Sequence, residues 1–460
     1  MTWILAFVFI LGAAVVLHEF GHFVVAKLLG IRVETFSVGF GKRIWGRRWG
    51  TTDYRLSLVP LGGYVKLGGD ESNAGLEDGA GEEIPAGERF DLRPRWQKIA
   101  VGVAGPVMNV LTALAIPFIL ALVVGVPSMP PPVVGDVIDG SAAEAAGLRP
   151  GDRIVSFNGR EGATWEEIRN DGTISPGQTI QLAVERDGRR IPLTITPEKR
   201  EEDSQAIGDL GVLPDYGQIP VKVVIDMVEK GSPAEAAGLQ PDDQIVALDG
   251  TPIRSSYQVV RHIKSHPTGA VTFTVKRKDQ TLDIAAGDVR KPDGKLGFLP
   301  DEEYPIKRVG AGAAASYAYG HNLEMLRLTG MALGQVFSGR RSVRDTFSGP
   351  IGIAQASKRA AEEGGLEGVF RMLGFLSLNL GIFNLLPIPV LDGGMIFVLL
   401  LEAALGVVGM KLSTGMRERI QQVGFVFLLL LMGFVIINDV TKYAPGWFRS
   451  SDRPAATQQK

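Results

Sequence analysis

The 460-residue sequence contains no cysteine. That excludes disulfides, thiolate zinc sites and cysteine nucleophiles. Any transition metal must then be held by histidine and carboxylates. Histidine is scarce too: His18, His22, His262, His266 and His321 are the full set. Net charge is nearly absent, at −2, so the overall balance gives no signal for nucleic acid as a partner. Long stretches near both ends carry almost no charge, and a polar, glycine-rich middle separates them. A chain of this length exceeds one ordinary compact domain.

Residues 3–29 form the first apolar stretch, long enough to cross a bilayer, which takes about 20 residues. No basic segment precedes it and no small-residue cleavage site follows, as a signal peptide would require. Residues 99–126 form a second candidate span, with Gly105, Pro106 and Asn109 inside it, a composition suited to packing against protein. Residues 370–405 form a third. It is too long for one straight helix and is interrupted by Asn384, Pro387, Pro389, Asp392, Gly393 and Gly394, which predicts a broken helix lining a cavity. Residues 423–437 are the core of a fourth. Lys27, Arg32, Lys42, Arg43, Arg47 and Arg48 follow the first span, and Arg93, Arg95 and Lys98 precede the second. The positive-inside rule makes that loop cytoplasmic and puts both termini and the long middle on the other side, despite the acidic stretch 77–88.

The middle repeats itself. Residues 140–159 read GSAAEAAGLRPGDRIVSFNG, and residues 231–250 read GSPAEAAGLQPDDQIVALDG. Each copy continues into a polar helix-like stretch and an alternating strand. Together they resemble PDZ domains of bacterial proteases, over 132–197 and 219–289. Residues 310–335 read as an amphipathic helix at the membrane surface. Residues 33–41 and 53–65 alternate apolar and polar positions. They predict a hairpin dipping toward the membrane, either as an edge for an extended substrate or as a simple anchor.

The chemistry sits at His18-Glu19-Phe20-Gly21-His22. On a helix, this spacing puts both histidines on one face, able to reach one metal ion, with the glutamate able to reach a bound water. Zinc lowers the pKa of such a water from about 15.7 to about 7, and Glu19 would take its proton and deliver one to a leaving amine. Charged groups at mid-membrane cost about 3 kcal/mol or more, so they are normally kept for function. Zinc needs a third protein ligand and an open position. His262 and His266 have the right spacing but lie in the second repeat with Pro267 after them, as on a solvated surface. His321 stands alone, with Glu324 a weak partner. Asp392 is the better candidate, at a Pro- and Gly-rich break, although it could instead cap the helix starting near Gly394.

HEFGH in the first span, Asn384-Leu-Leu-Pro-Ile-Pro-Val-Leu-Asp392-Gly-Gly in a later one, and two repeats between them resemble the site-2 proteases. These are intramembrane zinc metalloproteases, and the likeness is to the regulator of sigma-E (RseP) type, from residue 1 to about 443. The resemblance implies one zinc ion per chain on His18, His22 and Asp392, with Glu19 as catalytic base. It implies substrate contacts at Asn384, Pro387 and Pro389, and it matches Gly105-Pro106-Val107-Met108-Asn109 to the family's GPxxN element. The expected architecture is a polytopic α-helical membrane protein of about four spans, with two extracytoplasmic α+β PDZ domains inserted between the second and third. Its segments are a first span (1–29), a cytoplasmic loop (30–97), a second span (98–127), PDZ domains at 128–208 and 209–300, a membrane-surface segment (301–365), a broken third span (366–409), a fourth span (418–440) and a tail (441–460). The expected location is a bacterial inner membrane, with the site toward the cytoplasmic side. The expected partners are the lipid bilayer and single-span membrane substrates, of the anti-sigma-factor type or signal-peptide remnants, admitted through the PDZ domains acting as a size filter or a terminus-binding module. No nucleic-acid partner is expected. Two other functions fit parts of the pattern: a membrane PDZ scaffold with an inactive site, and a zinc transporter or sensor. The complete His18, Glu19, His22 and Asp392 set disfavours both.

Overall fold

The computed structural model describes residues 2–70, 84–202, 205–217, 219–266, 269–278, 280–286, 296–346, 348–407 and 413–443. The acidic residues 77–83, Pro267 and the tail after residue 446 lie outside these. The chain divides into one unit of residues 1–122 with 310–460, and another of residues 123–309.

The first unit opens with α1 (Thr2–Leu28). Its end is set by Gly30, whose positive φ of 67° suits glycine. The Ile31 and Gly30 N–H groups donate back to Ala26 and Lys27 carbonyls, closing a Schellman cap. The chain then forms β1 (Val33–Trp49) and β2 (Thr52–Leu67). Both strands fold back on themselves. Residues 33–38 pair with 63–67 on one side and with 53–56 on the other, and 43–49 pair with 52–57. Gly39 and Gly41, both at positive φ, make the reversal in β1. Val33, Val65, Leu67 and Phe90 join Ala26 of α1 and Val101 of α2 (Arg95–Val123) in one buried cluster, which fixes the ribbon against both helices.

The second unit holds the two repeats. It opens with β3 (Val126–Pro127). The first copy runs β4 (Val134–Val137), α3 (Ala142–Ala145), β5 (Arg153–Phe157), β6 (Arg160–Glu161), α4 (Trp165–Ile174), β7 (Ile180–Arg186), β8 (Arg189–Ile195), β9 (Glu198–Glu202), β10 (Gln205–Asp209) and β11 (Val212–Pro214). Strands β6-β5-β7-β8 make one sheet, and β11 pairs with β4, so this copy's pairing reaches Pro214. The second copy runs β12 (Lys222–Val228), α5 (Pro233–Ala237), β13 (Gln244–Leu248), β14 (Thr251–Pro252), α6 (Ser256–Ser265), β15 (Val271–Arg277), β16 (Gln280–Ala286) and β17 (Phe298–Glu303). Its sheet order is β16-β15-β13-β12-β17. A last strand, β18 (Ile306–Lys307), pairs with β3 and closes the unit.

Equivalent residues do equivalent work in the two copies. Ser141 and Ser232 cap the short helices α3 and α5 by accepting from Glu144 and Glu235 N–H. Buried Asp152 and Asp243 each bind an arginine side-on, Arg186 and Arg277, at 2.6 and 2.7 Å. Each copy has its own apolar core, around Phe157 and Ile168 in one and Phe273 and Leu248 in the other.

The first unit resumes with α7 (Ala311–Phe337), α8 (Val343–Thr346), α9 (Pro350–Glu362), α10 (Gly365–Asn384), α11 (Asp392–Val407) and α12 (Thr414–Tyr443). Buried Asn322 of α7 donates to the Ala113 carbonyl of α2. The buried Asp439 carboxylate of α12 accepts from the N–H groups of Gly349, Ile351 and Gly352 at the start of α9, where a negative group meets unsatisfied donors. Among the described residues, four helices are long and apolar enough to cross a membrane: α1, α2, α10 and α12. The predicted broken third span is therefore two helices, of which α10 alone has spanning length and composition.

Candidate active site

The HEFGH segment lies in the second half of α1, where helical spacing puts His18 and His22 on one face. That face meets α2 through glycines. A Cβ on Gly105 would stand 2.3 Å from His22 Nε2 and 2.7 Å from His18 Cε1. A Cβ on Gly21 would stand 2.3 Å from the Ala104 carbonyl oxygen. Close helix approach therefore requires glycine at both positions. On α2, the Val101 carbonyl accepts from His22 Nδ1 at 2.7 Å, which leaves Nε2 with its lone pair. Fully buried Asn109 faces His18 Nδ1 at 3.2 Å.

Asp392 comes from the far end of the chain. Pro387 and Pro389 have no backbone N–H, so α10 cannot continue past Asn384 and Leu385. The chain turns, and the first turn of α11 packs back on it. A Cβ on Gly393 would lie 2.3 Å from the Leu385 carbonyl oxygen, and one on Gly394 would lie 2.2 Å from that of Ile388. Val390 in this turn holds a φ of 88°. For a β-branched residue that is strained, at a cost of about 1–3 kcal/mol, and such strain concentrates at functional sites. The turn also meets α12, where a Cβ on Gly424 would lie 2.1 Å from Pro389 Cβ.

The turn delivers Asp392 Oδ2 to 3.0 Å from His18 Nε2 and 3.4 Å from His22 Nε2, with the two Nε2 atoms 3.2 Å apart. Oδ2 is buried and makes no hydrogen bond. Ligand atoms of these three residues lie within 4.8 Å of one another, the one such metal-competent group among the described residues. Two imidazole nitrogens and one carboxylate oxygen, converging with an unsatisfied acceptor among them, form a group that could hold a metal ion. Asn384 Nδ2 stands 3.2 Å from His18 Nε2, the nitrogen that faces Asp392. Glu19 is not among the converging ligand groups. Its Oε2 accepts from the Val65 N–H of β2 at 3.1 Å.

The other histidines lie elsewhere. His262 Nε2 bonds Asp249 Oδ2 at 2.7 Å and stacks on His266. His321 stacks on Tyr317, and Glu324 pairs with Arg327. Two features of the site had no signal of their own in the sequence: the Val65 N–H against Glu19 and the strained φ of Val390.

Residues 6–431 match the model of peptidase family M50. The chain is 33% identical to the regulator of sigma-E protease RseP of Escherichia coli K12, over 96% of this chain and 99% of that one. It is 32% identical to the RseP of Salmonella typhimurium, over 95% and 98%. It is 34% identical to a putative zinc metalloprotease of Neisseria meningitidis serogroup A, over 96% and 99%. The chain belongs to peptidase family M50, the site-2 proteases. It is a zinc metalloendopeptidase with multiple membrane spans.

Proposed function

We propose that this chain cuts peptide bonds inside the spanning segment of single-span membrane proteins, with His18, His22 and Asp392 holding zinc and Glu19 as general base. The observation that carries the assignment is the convergence of the three ligand atoms on a face of α1 that also bears Glu19, within helices of spanning length. Zinc, when bound, supplies a Lewis acid for a water molecule and for the scissile carbonyl. Glu19 takes the proton from that water and passes it to the leaving amine nitrogen. The Val65 N–H holds Glu19 Oε2, and proton transfer is assigned to Oε1. Asn384 donates from its amide to the substrate carbonyl, where negative charge develops. Pro387 and Pro389 shape the wall against which the substrate lies.

A bond in a transmembrane helix is hydrogen-bonded and shielded, so the substrate must be drawn out into an extended form. The ribbon of β1 and β2 offers an edge beside Glu19 for that added strand. Cleavage near a helix-weakening Gly or Pro follows. The relatives' names point to an anti-sigma factor in a sigma-E response as the class of substrate, and remnant signal peptides share the required single apolar span. Basic residues flanking α1 and α2 support a cytoplasmic loop and extracytoplasmic repeats in an inner membrane. The repeats act as PDZ domains that limit entry to substrates already trimmed outside the membrane.

The test is co-expression with a tagged single-span substrate. Glu19→Gln should abolish cleavage while retaining zinc. Equal cutting by both proteins would end the proposal.

A further inference from the structure

The two histidines are held from behind by different groups. His22 donates from Nδ1 to a backbone carbonyl, that of Val101, at 2.7 Å. A backbone oxygen can only accept, so it fixes the ring's protonation by itself. Among the described residues, no carbonyl oxygen takes that place at His18 Nδ1. The group there is the side-chain amide of Asn109, one turn beyond the Gly105-Pro106 pair, with Nδ2 3.2 Å from His18 Nδ1.

A neutral imidazole that binds a metal through Nε2 carries its proton on Nδ1. His18 Nε2 is the atom that faces Asp392 and His22. Nδ1–H then needs an acceptor, and an amide offers one only through its oxygen. Asn109 Oδ1 is buried and has no hydrogen-bond partner. Oxygen and nitrogen of an amide exchange places by a half-turn about Cβ–Cγ, with no change of shape. The half-turn turns the oxygen toward Nδ1 and gives His18 the acceptor that ligation requires.

We propose that Asn109 is the positioning residue of His18, presenting Oδ1 to Nδ1–H so that Nε2 is the metal-binding nitrogen. The inference rests on His18 being a zinc ligand. It gives the GPxxN element two tasks on α2: Gly105 makes room for both rings, and Asn109 sets the tautomer of one.

The experiment measures zinc affinity of the full-length, detergent-solubilised chain by chelator competition, independently of proteolysis. Asn109→Leu keeps the volume and removes the acceptor, and should weaken zinc binding about 10- to 100-fold. Asn109→Asp keeps an acceptor and should stay within about threefold of wild type. If Leu prevents folding, Asn109→Ala removes the acceptor without bulk and carries the same expectation. Wild-type affinity in the Leu or Ala variant overturns the inference, and so does an Asp variant as weak as either. His18→Ala is measured beside them. If it binds zinc like wild type, the ligand assignment itself fails. If it loses zinc while Asn109→Leu does not, only the role of Asn109 fails.

Discussion

Gly105 backs directly onto His22, with room for a hydrogen and nothing larger: a Cβ there would lie 2.3 Å from Nε2. Gly105→Ala must therefore push α2 or the ligand ring aside. A displacement of about 1 Å at a catalytic site can cost on the order of 100-fold in rate. The expected result is cleavage reduced at least that much and lowered zinc content, with the protein still folded. Near-normal cleavage by the alanine variant would show that the ring tolerates the shift.

Asp392 would give the proposed site its one anionic ligand among the described residues. Asp392→Asn keeps the shape and removes the charge that a dication needs. Zinc content of the purified variant, measured by elemental analysis, should fall far below one per chain, and cleavage should be lost. Unchanged occupancy would remove Asp392 from the ligand set.

In the first repeat, burial acts to raise the Asp152 pKa, but the Arg186 guanidinium and the Arg149 N–H prevail and hold it below the ordinary carboxylate value. A depressed folded-state pKa gives stability that is present above the unfolded value of about 3.9 and is lost as pH falls through the lower folded value. Asp152→Asn should therefore cost on the order of 2 kcal/mol at neutral pH. Its deficit against wild type should shrink as the medium is acidified below about pH 4. Hydrogen exchange at β7 of the full-length chain reads this directly, and a deficit independent of pH would contradict it.

Tyr216, between the repeats, donates to Glu302 Oε2 at 2.5 Å, while Ser256 N–H and Oγ donate to Oε1 at 2.9 and 3.0 Å. Burial, with the Glu302 carboxylate adding to it, pushes the Tyr216 phenol pKa up, so the hydroxyl stays a donor. Tyr216→Phe should remove about 2 kcal/mol of coupling between the copies. If the tandem limits entry, looser repeats should let untrimmed substrate be cut several-fold faster. A variant that cuts trimmed and untrimmed substrate in the wild-type ratio would argue against a rigid filter.

Much of the site was legible because its chemistry is local. Two histidines four residues apart name a helix face, and prolines and glycines around Asp392 name a break. What escaped was register. Alternation in residues 53–65 predicts a strand, but nothing in it says that the Val65 N–H meets Glu19. The broken third span was visible as an interruption. That α11 turns back onto α10 follows from carbonyl contacts at Gly393 and Gly394, which only the fold reveals. The repeats were visible as sequence, yet Leu210 and Val212 belong with the first core because β11 returns to pair with β4, a non-local pairing.

The pairing of His18 and His22 with Asp392 also sets a timetable. Ribosomes deliver the chain from its N-terminus, so both histidines enter the membrane while the aspartate is still unmade. At about 5–20 residues per second, the interval is roughly 20 to 75 s. If Glu19 is the general base and His18, His22 and Asp392 are the ligands, as proposed, the nascent chain carries the base and two ligands throughout it but lacks the third. On that assignment the proposed site stays incomplete during insertion, and translation of residue 392 completes it.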